Sequence, residues 1–484
     1  MTQQVDDVDV APVPGGAPGA GAVRALTIGA VALVSLIAFE ALAVAVVMPA
    51  VAGDLDGLSV YALAFGAPAA SSVVGMALAG AWSDAVGVRR PLVVGVGLFV
   101  AGLLLCGTAP HIAVFVTGRA VQGLGSGMVT VALYALVGSV VPELRRPRVF
   151  AAFSAAWVVP AMVGPAISGL LLHTLGWRAV FLLVPALAVP SSLIVWPVVR
   201  ASRPPAGREA VAPGVVRRRV LLAAGAGTSA AVLQVTASRS QPGWRLLAVV
   251  ALGVVGWCAV RLLPPGLFRL ERGVASVVAV RGLIGAAFAG AETYLPLLLV
   301  RERRWDPAVA GAVLTVGAVA WSVGSWFQGR YPQPQARYRL SRAGTSLLVV
   351  GVVTILVTAL PGVPGAIAPV GWSIGALGMG MVYSSTSLLA LHLSPPERHG
   401  EASSALQTSE SLTISVVLAL GGGLFAAFLP LGLAADAPAG HAPYLAGVSV
   451  AVLSAVLAVV AARRMAPGRP AGPVSPGAGG WRRS

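Results

Sequence analysis

From Leu26 onward the chain is a succession of long apolar runs broken by short polar or Arg-rich stretches. Crossing about 30 Å of hydrocarbon takes roughly 20 apolar residues at 1.5 Å of helix rise each. Fourteen runs come close to that length, near 25–50, 58–82, 91–109, 111–140, 149–173, 178–199, 220–238, 244–263, 274–300, 308–329, 342–360, 364–391, 402–430 and 442–462. After the sixth, the stretch from Arg200 to Arg219 carries Pro204, Pro205 and Pro213 and no apolar face, which reads as a solvated linker. The pattern predicts an all-α polytopic membrane protein of two six-helix bundles with two extra spans between them. The expected boundaries are an N-terminal bundle over 24–200, a linker over 201–219, two extra helices over 220–264 and a C-terminal bundle over 265–463. Residues 1–23 and 464–484 read as disordered cytoplasmic tails. If the shorter runs within 220–263 lay on the membrane or re-entered it, the count would be twelve.

Composition sharpens this. With 57% hydrophobic and 10% charged residues, the chain falls far from the roughly 25% charge of soluble domains. A formal net charge of +16 in a soluble protein would point to nucleic acid. Here the basic residues, all Arg, gather in short loops between apolar runs, as they do when positive charge sets membrane orientation, so no nucleic-acid partner is expected. With the N-terminus inside, only Arg178, Arg239, Arg245, Arg301, Arg303 and Arg304 fall in outer loops, and Arg119 and Arg281 fall within spans. Both termini are therefore expected on the cytoplasmic side of the cell membrane. Cys106 and Cys258 sit inside apolar runs and imply no disulfide framework. The five His are scattered over span ends and loops, so no metal site is expected.

The two halves echo each other, and internal repeats place a transport path between halves. Gly80-x-x-x-Asp84 before the third span has a counterpart in Gly324-x-x-x-Gln328, and Pro142-Glu143-Leu144-Arg145 is echoed by Pro396-Glu397-Arg398.

Ionisable side chains inside spans cost about 2.5–3.5 kcal/mol each at mid-depth and mark function by default. They are few: Glu40, Arg119, Arg281, Glu292 and, nearer a helix start, Glu410. Counting helix rise puts Glu40 and Arg119 at nearly the same depth. A pair between them offsets much of the burial cost, and a carboxylate that is charged while paired and takes a proton when the pair opens is what a proton carrier needs; a permanent interhelical bridge is the other reading. Arg281 and Glu292 share a helix face but stand roughly 16 Å apart, too far to bond each other. Glu292 is a second candidate for coupling or for cationic substrates. Gln407 and Glu410 are candidates for the substrate pathway together with Arg281, although Glu410 also lies close enough to the cytoplasmic end to reach water. Trp305, Trp321 and Trp326 read as interface anchors or packing, with a substrate cage as the other reading.

Gly80, Asp84, Gly87 and Arg89 match the loop signature G-x-x-x-D-R-x-G-R-R, with Ala85 and Val88 where the signature has basic residues and Arg90 one place beyond it. Gly80 admits a close backbone, Gly87 supplies a permissive φ, and Asp84 at the water boundary can accept from a helix N-terminus or pair with Arg89 or Arg90. Arg119-Ala-Val-Gln122-Gly123-Leu-Gly125 matches R-x-x-Q-G-x-G, and Gly164-Pro165 with Gly169 matches the core of G-x-x-x-G-P-x-x-G-G, with Pro160 and Ser168 departing from it. These motifs resemble those of the major facilitator superfamily, and their combination with fourteen spans resembles its drug:proton antiporter branch. That resemblance implies alternating access, export of a small, amphipathic or drug-like molecule in exchange for protons, no bound cofactor beyond the proton gradient, and function as a monomer. It associates the fourth-span motif with proton coupling and the Gly-Pro motif with antiport. The rival readings are an importer of a small solute with the same fold, and a membrane-embedded enzyme or receptor. The Gly-Pro core argues against the importer, and the lack of any nucleotide loop, nucleophile triad or extramembrane domain argues against the enzyme.

Overall fold

The computed structural model describes residues 20–141, 145–202, 213–237, 241–331, 333–395, 399–430 and 437–466. The expected tails and the paired Pro-Glu loops lie largely outside these residues. Fourteen helices long and apolar enough to cross a membrane are present among the described residues. They are α1 (Ala20–Asp54), α2 (Tyr61–Val86), α3 (Arg89–Gly107), α4 (Ile112–Val140), α5 (Arg146–Leu175), α6 (Trp177–Ala201), α7 (Pro213–Ala237), α8 (Pro242–Leu262), α9 (Val274–Leu297), α10 (Pro307–Gly329), α11 (Pro334–Thr358), α12 (Ile367–His392), α13 (His399–Ala427) and α14 (His441–Ala462).

Helix starts follow local chemistry. Proline occupies the first turn of α8, α10 and α11, where its missing N–H costs nothing. Asp306 caps α10 by accepting from the Ala308 N–H at 2.7 Å. Gly87 ends α2 at φ +85°, a conformation that a side chain would strain. Two expected boundaries move. The linker reading of 213–219 is replaced by the first turns of α7, because a helix opened by Pro213 carries the exposed Arg217 and Arg218 readily at a water boundary. For the same reason α11 begins at Pro334, ahead of the expected 342, and includes Arg337, Arg339 and Arg342.

Packing repeats between halves. In the first bundle α4 packs on α2 and α3, and α1 on α5 and α6; in the second α12 packs on α10 and α11, and α9 on α13 and α14. Even the loop chemistry is duplicated. Asp54 at the end of α1 accepts from Trp177 Nε1 at 3.0 Å and from Arg178 at 2.9 Å at the start of α6. Glu302, just past α9, accepts from the backbone N–H of Ala439 at 2.7 Å, before α14.

The bundles meet along α2–α13 and α5–α10, and α7 lies against both α2 and α13, with α8 behind it. Gln234 of α7 donates to the Ser415 carbonyl of α13 at 3.3 Å. With each helix crossing in turn, the α2–α3 and α10–α11 loops share one face with the start of α1 and the end of α14, called here the basic face. Close inter-bundle approaches lie toward the far face: Tyr61 stacks on Tyr294 with centroids 6.5 Å apart, and Gly311 of α10 faces Val46 of α1. Arg303, one of the exceptions in the charge pattern, donates to the carbonyls of Thr358 and Leu360 at the end of α11, where a helix C-terminus favours a cation.

Candidate functional site

Helix α1 brings Glu40 and helix α4 brings Arg119 and Gln122, which lie one turn apart on one face. All three are buried, Glu40 and Gln122 at 2% exposure and Arg119 at 4%. Arg119 donates to Glu40 and to the Gln122 side-chain oxygen, while the Gln122 amide nitrogen donates to the other Glu40 oxygen. The Arg119 Nε donates to the Ala64 carbonyl of α2 at 3.0 Å. The triad closes on itself, so the two charges cancel and both carboxylate oxygens are bonded. Small residues permit it: a side chain on Gly123 would run into the Pro68 backbone of α2, and one on Gly125 into the Phe99 backbone of α3. In lipid, where apolar burial drives little, such close approach is what holds helices together.

The second bundle holds a different charged cluster. Arg281 of α9 donates from Nε to Glu410 of α13 at 2.9 Å and from an Nη to the Tyr383 carbonyl at 3.2 Å and to Ser387 at 3.1 Å. Its guanidinium lies 3.2 Å from the Tyr383 ring centroid, and the Tyr383 hydroxyl donates to Glu410 at 3.3 Å. Glu410, expected near enough to the cytoplasmic end to reach water, is also held in an ion pair. Its side chain is 14% exposed and is the counter-charge of Arg281, because Gly285 on α9 leaves a hollow that the Glu410 side chain enters. Gln407 is half-buried on α13 and makes no hydrogen bond among the described residues.

Glu292, also on α9, is half-buried and joins neither cluster. One turn away, Phe288 stacks on Trp372 at 4.3 Å and meets Trp321 edge-on at 5.1 Å, and Trp321 packs on Tyr383 at 5.3 Å. Trp321 is thus a wall residue inside the second bundle. Trp326 is 58% exposed, with Arg330 stacked 3.7 Å from its centroid, and fits an interface anchor.

The hinge residues separate. Gly87 has the positive φ expected of it. The close backbone approach expected at Gly80 is absent: a Cβ there would meet only a Val131 methyl at 3.9 Å, and the tight contact is at Gly75, against the Leu124 carbonyl. Asp84, Arg89 and Arg90 are exposed, and Arg89 lies 5.2 Å from the Trp196 ring centroid; no bond joins Asp84 to either Arg. The counterpart Gln328 is buried at 2%. On α5, a Cβ at Gly164 would touch Phe39 of α1 at 3.4 Å and one at Gly169 would touch Ala308 of α10 at 3.5 Å, so this motif faces both its own bundle and the seam between bundles. Pro165 offers its carbonyl beside Gly311 at that seam.

Sequence reasoning missed Tyr383 and the Ala64 carbonyl. A tyrosine in an apolar run looks like any aromatic filler, and a backbone acceptor has no sequence signature at all.

The comparisons with known proteins agree with this architecture. The sequence model of the Major Facilitator Superfamily matches residues 28–418. Multidrug resistance protein Stp of Mycobacterium tuberculosis is 26% identical over 380 residues, covering 74% of this chain and 68% of that protein. Drug efflux pump JefA of the same organism is 39% identical over 117 residues, 23% of this chain and 22% of its own length. Among solved structures, the D-xylose-proton symporter superposes with a TM-score of 0.61 at 15% identity, over 90% of this chain and 97% of that one, a likeness of fold.

Proposed function

The chain belongs to the Major Facilitator Superfamily, and from that premise we propose that it exports small, amphipathic or drug-like molecules in exchange for protons by alternating access. As a member of the family it is a multi-pass membrane transporter of small molecules and not an enzyme. Export is supported by the names of its relatives, which denote multidrug resistance and drug efflux. The Arg distribution supports a cell-membrane location with both termini cytoplasmic, in which case the basic face looks inward. One chain supplies both bundles, which supports action as a monomer; in this proposal the proton gradient drives transport and no cofactor takes part.

The observation that carries proton coupling is the closed triad of Glu40, Arg119 and Gln122. In this proposal a proton is accepted at Glu40 in exchange for its attraction to Arg119, and the exchange couples the proton to the bundle arrangement. Gln122 suits both states, because its amide carries a donor and an acceptor and answers either form of the carboxyl group. Arg119 keeps the Ala64 carbonyl when the pair loosens, so its charge is not left without a bond. The exposed Asp84 and the tight Gly87 turn form the hinge, which biases one bundle arrangement over the other without touching the substrate.

Purified protein in liposomes loaded with ethidium, with a pH gradient imposed, tests the assignment. Glu40→Gln should abolish gradient-driven ethidium movement while exchange without a gradient continues. Undiminished proton-driven transport in Glu40→Gln would show the triad to be a structural bridge.

A further inference from the structure

Helices α9, α11 and α14 pack on one another, and on the basic face two hydrogen bonds tie their ends together. The Gly273 N–H, just ahead of α9, donates to the Arg464 carbonyl at 3.3 Å, and an Nη of Arg342 on α11 donates to the Arg463 carbonyl at 3.2 Å. Each bond brings another arginine to the pair at the end of α14: Arg272 is the chain neighbour of Gly273, and Arg342 makes the second bond itself. Met465, fully buried, pins the chain directly after Arg464. Arg272, Arg342, Arg463 and Arg464 are all exposed.

Four like charges gathered in this way repel one another, and the chain offers them little in return. Arg272, Arg463 and Arg464 make no side-chain hydrogen bond or ion pair among the described residues, and the acceptor of Arg342 is a neutral carbonyl. Over 261–273, 334–345 and 461–466 the only carboxylate is Glu271. It is folded back on the turn ahead of α9, where a Cβ at Gly266 would meet it at 2.3 Å. Setting membrane orientation takes positive charge in a loop, and does not require segments from three parts of the chain to bring theirs together. The patch also adjoins lipid. Trp257, 53% exposed near the end of α8, carries Arg261 4.7 Å from its ring centroid, as an aromatic ring at the membrane boundary can. Between Arg261 and Arg272 the chain turns tightly enough to hold Leu270 at a φ of +51°, unfavourable for a residue with a side chain. That turn buries Leu267 and leaves Phe268 61% exposed beside the exposed Arg269.

We propose that Arg272, Arg342, Arg463 and Arg464 bind the headgroup phosphate of an anionic phospholipid, with Phe268 set into the acyl region beside it. Basic pockets between transmembrane helices take such headgroups, and a guanidinium meets phosphate oxygens with two parallel N–H bonds. A zwitterionic headgroup carries its own cation into a patch that is already positive, and so gains less. The exposed ring favours a lipid over a free anion, which has nothing to place against Phe268. Nothing in this site depends on which molecule the cleft carries or on proton coupling.

Native mass spectrometry of the detergent-purified full chain, titrated with phosphatidylglycerol or with phosphatidylcholine of the same acyl chains, gives the two apparent affinities. The wild type should bind phosphatidylglycerol at least about fivefold more tightly. Arg272→Gln with Arg464→Gln should bring the two lipids within about twofold of each other. Those two side chains make no bond within the described residues, so their removal takes away charge and leaves the helix contacts in place, which gel filtration checks. Arg218→Gln, on α7 away from the patch, should keep the preference. Phe268→Ser should weaken both lipids alike. Equal binding of the two lipids by the wild type, an unchanged preference in the double variant, or displacement of phosphatidylglycerol by millimolar inorganic phosphate overturns the proposal, the last by marking a site for free anions.

Discussion

At the residue scale, the two charged clusters look alike in composition and differ in closure. Glu40 has a donor on each oxygen and lies at 2% exposure, whereas Glu410 keeps 14% of its side chain open and shares Arg281 with a tyrosine ring. Burying two charges costs several kcal/mol per ion, which their mutual attraction repays only when the geometry is good, and removing one partner leaves the other uncompensated. Arg119→Leu should therefore lower stability by about 3–5 kcal/mol, while Glu40→Leu with Arg119→Leu should regain most of that loss. Thermal unfolding in detergent followed by tryptophan fluorescence gives the comparison. A double variant as unstable as the single one would show that the bonds to Gln122 and the Ala64 carbonyl, and not the ion pair, hold this site together. The motif around Arg119 made the triad partly legible in sequence, since helix rise alone places Glu40 at its depth. The Arg281–Glu410 bond was not legible, because it depends on the hollow at Gly285 and on two helices more than a hundred residues apart in the chain.

At the element scale, glycines that look equivalent in the motifs do different work. Gly123 of α4 faces the Pro68 backbone across the α2–α4 contact, whereas Gly80 of α2 has ordinary van der Waals room. An added methyl must push a neighbouring backbone in the first case and nothing in the second. Gly123→Ala should thus cost about 1–3 kcal/mol through overpacking, and Gly80→Ala should leave the melting temperature within a degree or so of the parent, as surface substitutions within about 0.5 kcal/mol do. A destabilised Gly80→Ala would mean that its close approach belongs to a resting arrangement other than this one. Helix positions themselves were readable from the apolar runs. The misplaced starts of α7 and α11 share a cause: counting apolar residues undercounts a helix whose first turns carry Arg at the water boundary, where the long side chain reaches solvent.

At the scale of the molecule, the two extra helices are joined to the bundles asymmetrically. Helix α7 covers the α2–α13 seam and is bonded across it by Gln234, while the α5–α10 seam has no such cover and holds a cavity of about 540 Å³ lined by residues such as Gly169, Leu170 and Ala312. Helix α8 is the least buried of the spans, with Leu246, Val249 and Val260 each at least 60% exposed, as a helix in contact with acyl chains should be. If 220–263 cross fully, the exposed Gln241 at the start of α8 stands on the far face, opposite the start of α1 and the end of α14. A Gln241→Cys variant should then react with a membrane-impermeant maleimide added to intact cells, the native Cys106 and Cys258 being buried. Protection of that cysteine until the cells are opened would remove the fourteen-span topology or invert its orientation.

What this chain declares without its fold is whatever depends on local composition: the number of spans, the face on which positive charge gathers, the glycine turn at Gly87 and the rarity of charges in lipid. Each follows from the cost of exposing a backbone or an ion to hydrocarbon, a cost that acts residue by residue and so is written along the sequence. Partnership is different. That Glu40 closes on Arg119 and Gln122, that Glu410 answers Arg281, and that Glu292 is left beside Phe288 and Trp321 depend on which helix faces turn toward one another. Those rotations are decided by backbone approach at Gly123 and Gly125 and by the room that Gly285 leaves for the Glu410 side chain, contacts between separate helices, where a difference of one methyl group settles which side chains can meet.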